Sequence, residues 1–142
     1  MFNAIDILAH GLSAQRLRMN TIVSNIANAQ TTRTEEGGPY KRRDVVLTAR
    51  EEQSKFSSVL DRMTLARPKV SAVIEDQSPP REVHQPGHPD ADAQGIVRYP
   101  NINIVSSMSN RINTATAYEA QATATQTVRD MMRKAAQITI RF

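Results

Sequence analysis

IVSSMSNRINTATAYEAQATATQTVRDMMRKAAQITIRF, residues 104–142, contains neither Gly nor Pro and is the longest helix-compatible stretch of the chain. Ala, Thr, Gln, Asn and Ser fill its first two-thirds, and large aliphatic residues return only near its end. Val128, Met131, Ala135, Ile138 and Phe142 follow three- and four-residue steps and so share one face, and Met108, Ile112 and Ala115 start a similar row upstream. A stripe this narrow reads as a coiled-coil seam rather than as the broad apolar face of a globular helix.

The other end of the chain carries a counterpart. Ile5, Leu8, Leu12, Met19, Ile22 and Ile26 alternate steps of three and four, with Gln15 at the one skipped position. That is a heptad-like row sustained over about three repeats. The pattern predicts a helix from Asn3 to Ala29, with Asn3 as N-cap and Asp6 in the first turn. Gly11 weakens the helix interior by about 1 kcal/mol relative to Ala. Asn20, Asn25 and Asn28 lie on or near one side. Asn forms helix poorly, so its repeated use points either to side-chain hydrogen bonds with neighbouring backbone or to a merely polar outer face.

Two helices that each carry a seam need partners, and the economical arrangement packs the chain ends on each other. The expected fold class is α+β: long terminal helices packed as a coiled coil, with a small β-rich region between them. The corresponding divisions are 1–34, 35–103 and 104–142. Glu35-Glu36-Gly37-Gly38-Pro39-Tyr40 is the clearest break, because Gly-Gly-Pro cannot continue a helix. Beyond it, Val45–Thr48, Val70–Glu75, Arg81–Val83 and Ile96–Tyr99 read as short strands, the second of them half-buried by its alternation. Glu51–Lys55 reads as a loop, and Phe56–Leu60 as a strand or a helical turn. Gln85–Asp92 is rich in turn residues, Tyr99 is extended before Pro100, and Asn103 or Ser106 caps the last helix.

With 142 residues, 39% hydrophobic and 4% aromatic, and no Trp, the chain is one domain long but poor in large core side chains. Much of its burial is therefore expected between molecules. The absence of Cys excludes disulfides and thiolate metal sites. Asp6, His10, Arg16 and Arg18 interrupt the first apolar runs, so no secretory h-region is present, and no segment approaches the ~20 apolar residues of a membrane span. The net charge of +4 resides on the two helical ends. Those charges are spaced apart and not interleaved with aromatics, which favours solvated helix faces over a nucleic-acid site. Lys41-Arg42-Arg43 reads the same way, as the solvated start of a strand.

Catalytic chemistry finds little support. His84 and His88 stand four apart, but Pro86, Gly87 and Pro89 forbid the helix that would give this spacing a metal geometry. Asp90-Ala91-Asp92 begins like a calcium loop but lacks its third acid and its bidentate Glu. Gly37-Gly38 lacks the Lys and the following helix of a phosphate loop. No cofactor is expected.

Several stretches together carry a family resemblance. Ser24-Asn25-Ile26-Ala27-Asn28-Ala29-Gln30-Thr31-Thr32-Arg33-Thr34, followed by Gly37-Gly38-Pro39-Tyr40, resembles the N-terminal signature of flagellar basal-body rod proteins, in particular its proximal-rod members. Pro86–Ala93 with Tyr99-Pro100-Asn101-Ile102-Asn103 is a second such stretch. Met108 to Ala122, including Ala117-Tyr118-Glu119-Ala120, resembles the C-terminal motif of rod, hook and filament proteins. Thr114-Ala115-Thr116 departs from the family's more usual Ser and Arg. The match is collinear over nearly the whole chain.

The resemblance implies a structural role in a periplasmic rod, with the terminal helices lining its core. It implies a chain that polymerises helically, transmits torque, encloses the export channel, and leaves the cell through the flagellar type III apparatus. The implied partners are further copies of the chain, other rod proteins of the FlgB, FlgF and FlgG types, and a FliE-type adaptor with the MS ring at the rod base. Neither nucleic acid nor a direct membrane span is implied. The assembly seams expected are Ile5, Leu8, Leu12, Met19, Ile22 and Ile26 on one helix, and Met108, Ile112, Val128, Met131, Ala135 and Ile138 on the other. Asn25, Asn28, Thr32, Gly37, Gly38, Pro39, Tyr40 and Tyr118 carry the family motifs. The competing classes are a basic nucleic-acid-binding adaptor and a small enzyme built on His84, His88, Asp90 and Asp92.

Overall fold

The computed structural model of the protein describes residues 2–50 and 67–139. The element order is α1 (Phe2–Ala27), β1 (Arg43–Arg50), β2 (Arg67–Glu75), β3 (Arg81–His84), β4 (Ile96–Tyr99) and α2 (Ile104–Thr139). The readings placed on Glu51–Lys55 and Phe56–Leu60 lie outside the described residues, as does Phe142. The class is α+β, with a helix at each end of the chain and small antiparallel sheets between.

α1 packs along α2. Gly11 meets Gln121, whereas Ile22, further along α1, shares a cleft with Asn110, further back along α2. The two helices therefore run antiparallel. α1 starts one residue before the expected cap, so Asn3 lies inside the helix, and Asp6 lies beyond the first turn. The Asp6 carboxylate instead pairs with Arg67 at 3.0 Å and ties β2 to α1. The helix stops at Ala27 rather than Ala29 because Asn28 closes it. The Asn28 amide nitrogen donates to the Ser24 carbonyl at 2.9 Å, and the Asn28 carbonyl oxygen accepts from Thr31 N at 3.1 Å. At the start of α2, Asn103 is the cap, its Oδ1 accepting from Ser106 N at 3.0 Å.

The strands form two separate antiparallel pairs, β1 with β2 and β3 with β4. Register in the first pair slips between Val46 and Leu47 and leaves Ser71 unpaired, a β-bulge. Pro68 is tolerated because β2 has one neighbouring strand among the described residues. The half-buried alternation expected of β2 fails beyond Val70, where Ser71 to Glu75 are all exposed, Val73 at 47% and Ile74 at 52%. Among the described elements this two-stranded ribbon packs on α1 alone, which leaves its second face uncovered by them.

The core is small. Ala14, Ala29 and Val97 are the buried apolar residues among those described, and only Val97 is large and fully enclosed. The accessible surface is 11008 Å². A compact monomer of this mass exposes about 7,300 Å², so the chain keeps roughly half as much again open to solvent.

Candidate assembly interface

A small and a polar residue meet where the helices touch at Gly11. The amide group of Gln121 lies on Gly11, where an added Cβ would stand 3.2 Å from Gln121 Oε1. Gly11 thus gives the seam close contact in exchange for local helix stability. Ala14 on α1 and Thr114 on α2 are also buried. The carboxamide oxygens of Gln15 and Gln121 are buried without a hydrogen-bond partner among the described residues.

The aliphatic row of α1 lies to one side of this contact. Ile5, Leu8, Leu12, Met19, Ile22 and Ile26 are all half-buried and none is enclosed. On α2 the expected stripe divides. Val128 is half-buried, while Met108 (51% exposed), Ile112 (63%), Met131 (55%) and Ala135 face solvent. The side chain of Ile138 lies outside the described set. The division follows from helix geometry: at ~100° per residue, Met108 and Val128 are about 200° apart around the axis, so one straight helix cannot present both to the same partner.

The Thr-rich composition of α2 has a local explanation. Thr114, Thr116, Thr123, Thr125 and Thr127 each donate their hydroxyl to the carbonyl four residues back, at 2.7–3.1 Å. Each of these hydroxyls is thereby satisfied inside the helix.

The end of the helix pair where α1 stops is tied together differently, by hydrogen bonds. Asn25 is 4% exposed. It pairs with the Arg43 backbone as a strand would, Nδ2 donating to the carbonyl at 2.7 Å and Oδ1 accepting from N–H at 2.9 Å. The Tyr40 hydroxyl also donates to Asn25 Oδ1, at 3.1 Å. Two of the three repeated Asn residues therefore bond to backbone, Asn25 anchoring the start of β1 and Asn28 ending α1, whereas Asn20 lies on the exposed face. Thr34 holds the turn in which Gly37 and Gly38 take φ values of +87° and +79°, its N–H donating to the Gly38 carbonyl at 2.9 Å. Pro39 follows this turn, and Tyr40 N donates to the carbonyl of Thr31, just beyond α1, at 3.1 Å. Tyr118 is half-buried on α2.

The loop between β3 and β4 joins this end. Thr32 donates to Asp90 Oδ2 at 2.7 Å, and the Arg33 guanidinium stands 3.8 Å from Asp90 Oδ1. The Asp90 N–H donates to His88 Nδ1 at 3.1 Å, and the His88 ring meets Tyr99 edge-on at 6.3 Å. Asp92 Oδ1 accepts from both Gln94 N and Ile96 N at 2.9 Å. Those bonds, that from Ile96 foremost, hold the Asp92 carboxyl below the usual carboxylate range. Gly95 has φ +74°, and a Cβ there would lie 3.0 Å from Pro86 Cβ, so only Gly fits. His88, Asp90 and Asp92, considered above as an enzyme site, are thus occupied in shaping and fastening a loop, while His84 pairs with Ile96 in the β3–β4 ladder. In the basic triplet, Arg42 pairs with Asp44 at 2.7 Å, and Arg43 pairs with Glu75 at 3.1 Å and lies over the Tyr40 ring.

Comparison with known proteins gives these observations a family. The flagella basal body rod protein model matches residues 5–33. The model of the flagellar basal body rod FlgEFG protein C-terminal matches residues 93–138. The flagellar basal-body rod protein FlgC of Borreliella burgdorferi is 35% identical, over 95% of both chains. The chain belongs to the FlgC family of flagellar basal-body rod proteins. FlgC of Salmonella typhimurium is 34% identical over 94% of each chain, and FlgC of Bacillus subtilis 35% identical over 96% of this chain and 97% of its own. As a FlgC-family member the protein is a structural rod subunit of the bacterial flagellum. The two matched segments are the helix-bearing ends, and in the fold they lie against each other. Among the described residues no helix is long and apolar enough to cross a membrane.

Three features were not anticipated from sequence: the Gly11–Gln121 contact, the Asp90–Thr32 bond and the inward hydroxyls of α2. A Gly inside a strong heptad row is the one signal that points to the first of them. Nothing in the sequence pairs residue 32 with residue 90.

Proposed function

We propose that this chain is a proximal-rod subunit that polymerises helically through its terminal helices into a shaft transmitting torque and enclosing the export channel. In this reading, residues 1–34 and 104–142 are axial helices that pack in coiled-coil fashion within the assembled wall. Residues 35–103 project from them. The partners are other copies of the chain, rod proteins of the FlgB, FlgF and FlgG types, and a FliE-type adaptor with the MS ring at the base. The chain reaches the periplasmic space through the flagellar type III apparatus, a route suited to a polypeptide without Cys. Its role is mechanical rather than catalytic.

The observation that carries this reading is the uncovered apolar surface of the helix pair. A continuous row on α1 is only half-buried, and Met108, Ile112 and Met131 on α2 are more than half exposed. A self-sufficient domain does not leave its main apolar rows in that state. Neighbouring subunits in a filament with unclosed head-to-tail contacts would cover them.

The test is sedimentation and far-UV circular dichroism of the purified chain, alone and mixed with other rod proteins, beside complementation of a strain lacking its own FlgC-type protein. Faster sedimentation, a gain in helix on mixing, and restored rods are the expected results. A chain that remains monomeric in every mixture and restores no rods overturns the proposal.

A further inference from the structure

The outer flanks of the two helices match each other. On α1, Arg16, Asn20, Val23 and Ala27 follow steps of four, three and four, and all are exposed. On α2, Met108, Ile112, Ala115 and Glu119 follow the same steps, and all but the half-buried Ala115 are exposed. Each row spans about 16 Å at 1.5 Å per residue. Arg16 lies about 140° around α1 from Gly11, and Glu119 about 160° around α2 from Gln121, so both rows turn away from the contact within the chain. Each row stands about 150° from the contact on its own helix, so the two rows lie on opposite outer flanks of the pair. One copy's α2 row can therefore meet the α1 row of the next in a head-to-tail contact.

Charge supports the match. Asp6 pairs with Arg67, and Asp130 lies 3.7 Å from Arg133. Glu119 is the one helix carboxylate with no ion pair among the described residues, and Arg16 likewise has none. Copies oriented alike around an axis place α2 of one antiparallel to α1 of its neighbour. Laying the rows antiparallel sets Glu119 opposite Arg16 and Ile112 opposite Val23, which are 63% and 44% exposed in the single chain. Met108 then falls opposite Ala27, where a small residue leaves room for it.

We infer that neighbouring copies of this chain join through an antiparallel α2-to-α1 contact in which Glu119 pairs with Arg16 and Ile112 packs on Val23. This rests on the assembly reading above and specifies its lateral contact. The experiment uses the full chain in cells lacking their own FlgC-type protein. Arg16→Glu and Glu119→Arg should each lower swimming by about tenfold or more, while the double reversal restores it to within about twofold, because the pair is partly desolvated in the contact. The absence of native Cys permits a second readout that does not depend on motility. Copies carrying Val23→Cys and copies carrying Ile112→Cys, expressed together, should give a disulfide-linked dimer in isolated basal bodies, and neither alone should. Failure of both rescue and cross-link, in basal bodies that do contain the wild-type chain, overturns this pairing and leaves the rod role standing. A cross-link to a protein of different mass overturns the choice of a second copy as partner. Absence of the wild-type chain from basal bodies overturns the underlying reading instead.

Discussion

The helix pair and the clasp at its end are held by opposite means. At the clasp, Asn25, Thr32, Tyr40, Asp90 and Asp92 all hydrogen-bond within the chain, and Val97 is fully enclosed. Along the helices the α1 row is half-covered and much of the α2 row is exposed, and the carboxamide oxygens of Gln15 and Gln121 are buried with no hydrogen-bond partner among the described residues. Satisfied polar groups with fixed directions give one geometry, whereas half-covered apolar rows can accept another partner at little cost. The clasp thus sets where the helices point, and the open rows leave them able to join an assembly.

The sharpest way to break that comparison is Ile22→Asp. A charge in the α1 row should abolish swimming by blocking assembly, while the purified variant keeps the clasp. Retained clasp geometry is read from hydrogen-exchange protection at β3 and β4, and normal swimming would sink the idea. A smaller effect, confined to the other region, is expected from Asn25→Ala. It removes the bonds to Arg43 and Tyr40 and leaves Arg43 backbone groups unpaired, which costs about 2–3 kcal/mol in urea unfolding. Asn25→Asp should do no better, since a carboxylate oxygen would face the Arg43 carbonyl from which Nδ2 now stands 2.7 Å. An unchanged urea midpoint in both variants would show that the clasp contributes no stability.

Gly95→Ala comes next, at about 1–3 kcal/mol, from positive φ together with the contact on Pro86. Its loss should appear in the β3–β4 loop and not in far-UV helix content. The smallest effect is pH-dependent. The folded-state pKa of Asp92 is depressed, so its contribution to the loop is complete above the unfolded value near 3.8 and fades as pH falls through the lower folded value. Proton titration of the Gln94 and Ile96 amide resonances should show a midpoint below 3.8, and a midpoint above it would contradict the assigned bonds.

Much of this was legible in the sequence. The two long helices, the Gly-Gly-Pro break, the Asn103 cap and all four strands follow from period and turn chemistry, which depend on residues a few places apart. The helix faces were less legible. Met108, Ile112, Val128 and Met131 read as rows of one kind, but a straight helix rotates them onto different sides, and only the position of α1 decides which side is inward. The row on α1 was likewise expected to be the seam, yet the helices touch at Gly11, to one side of it.

The amino-acid order by itself determined that two helices end the chain, that the middle is β-rich, and that too few large side chains exist to build a full core. Those properties come from local propensity and composition, which neighbours in space do not alter. Only the tertiary structure decided that α1 and α2 run antiparallel with Gly11 on Gln121, that Asp90 fastens Thr32, and that complementary rows face outward on opposite flanks. Each of these depends on residues far apart in sequence brought to within a few ångströms by the clasp, and no local pattern encodes that distance.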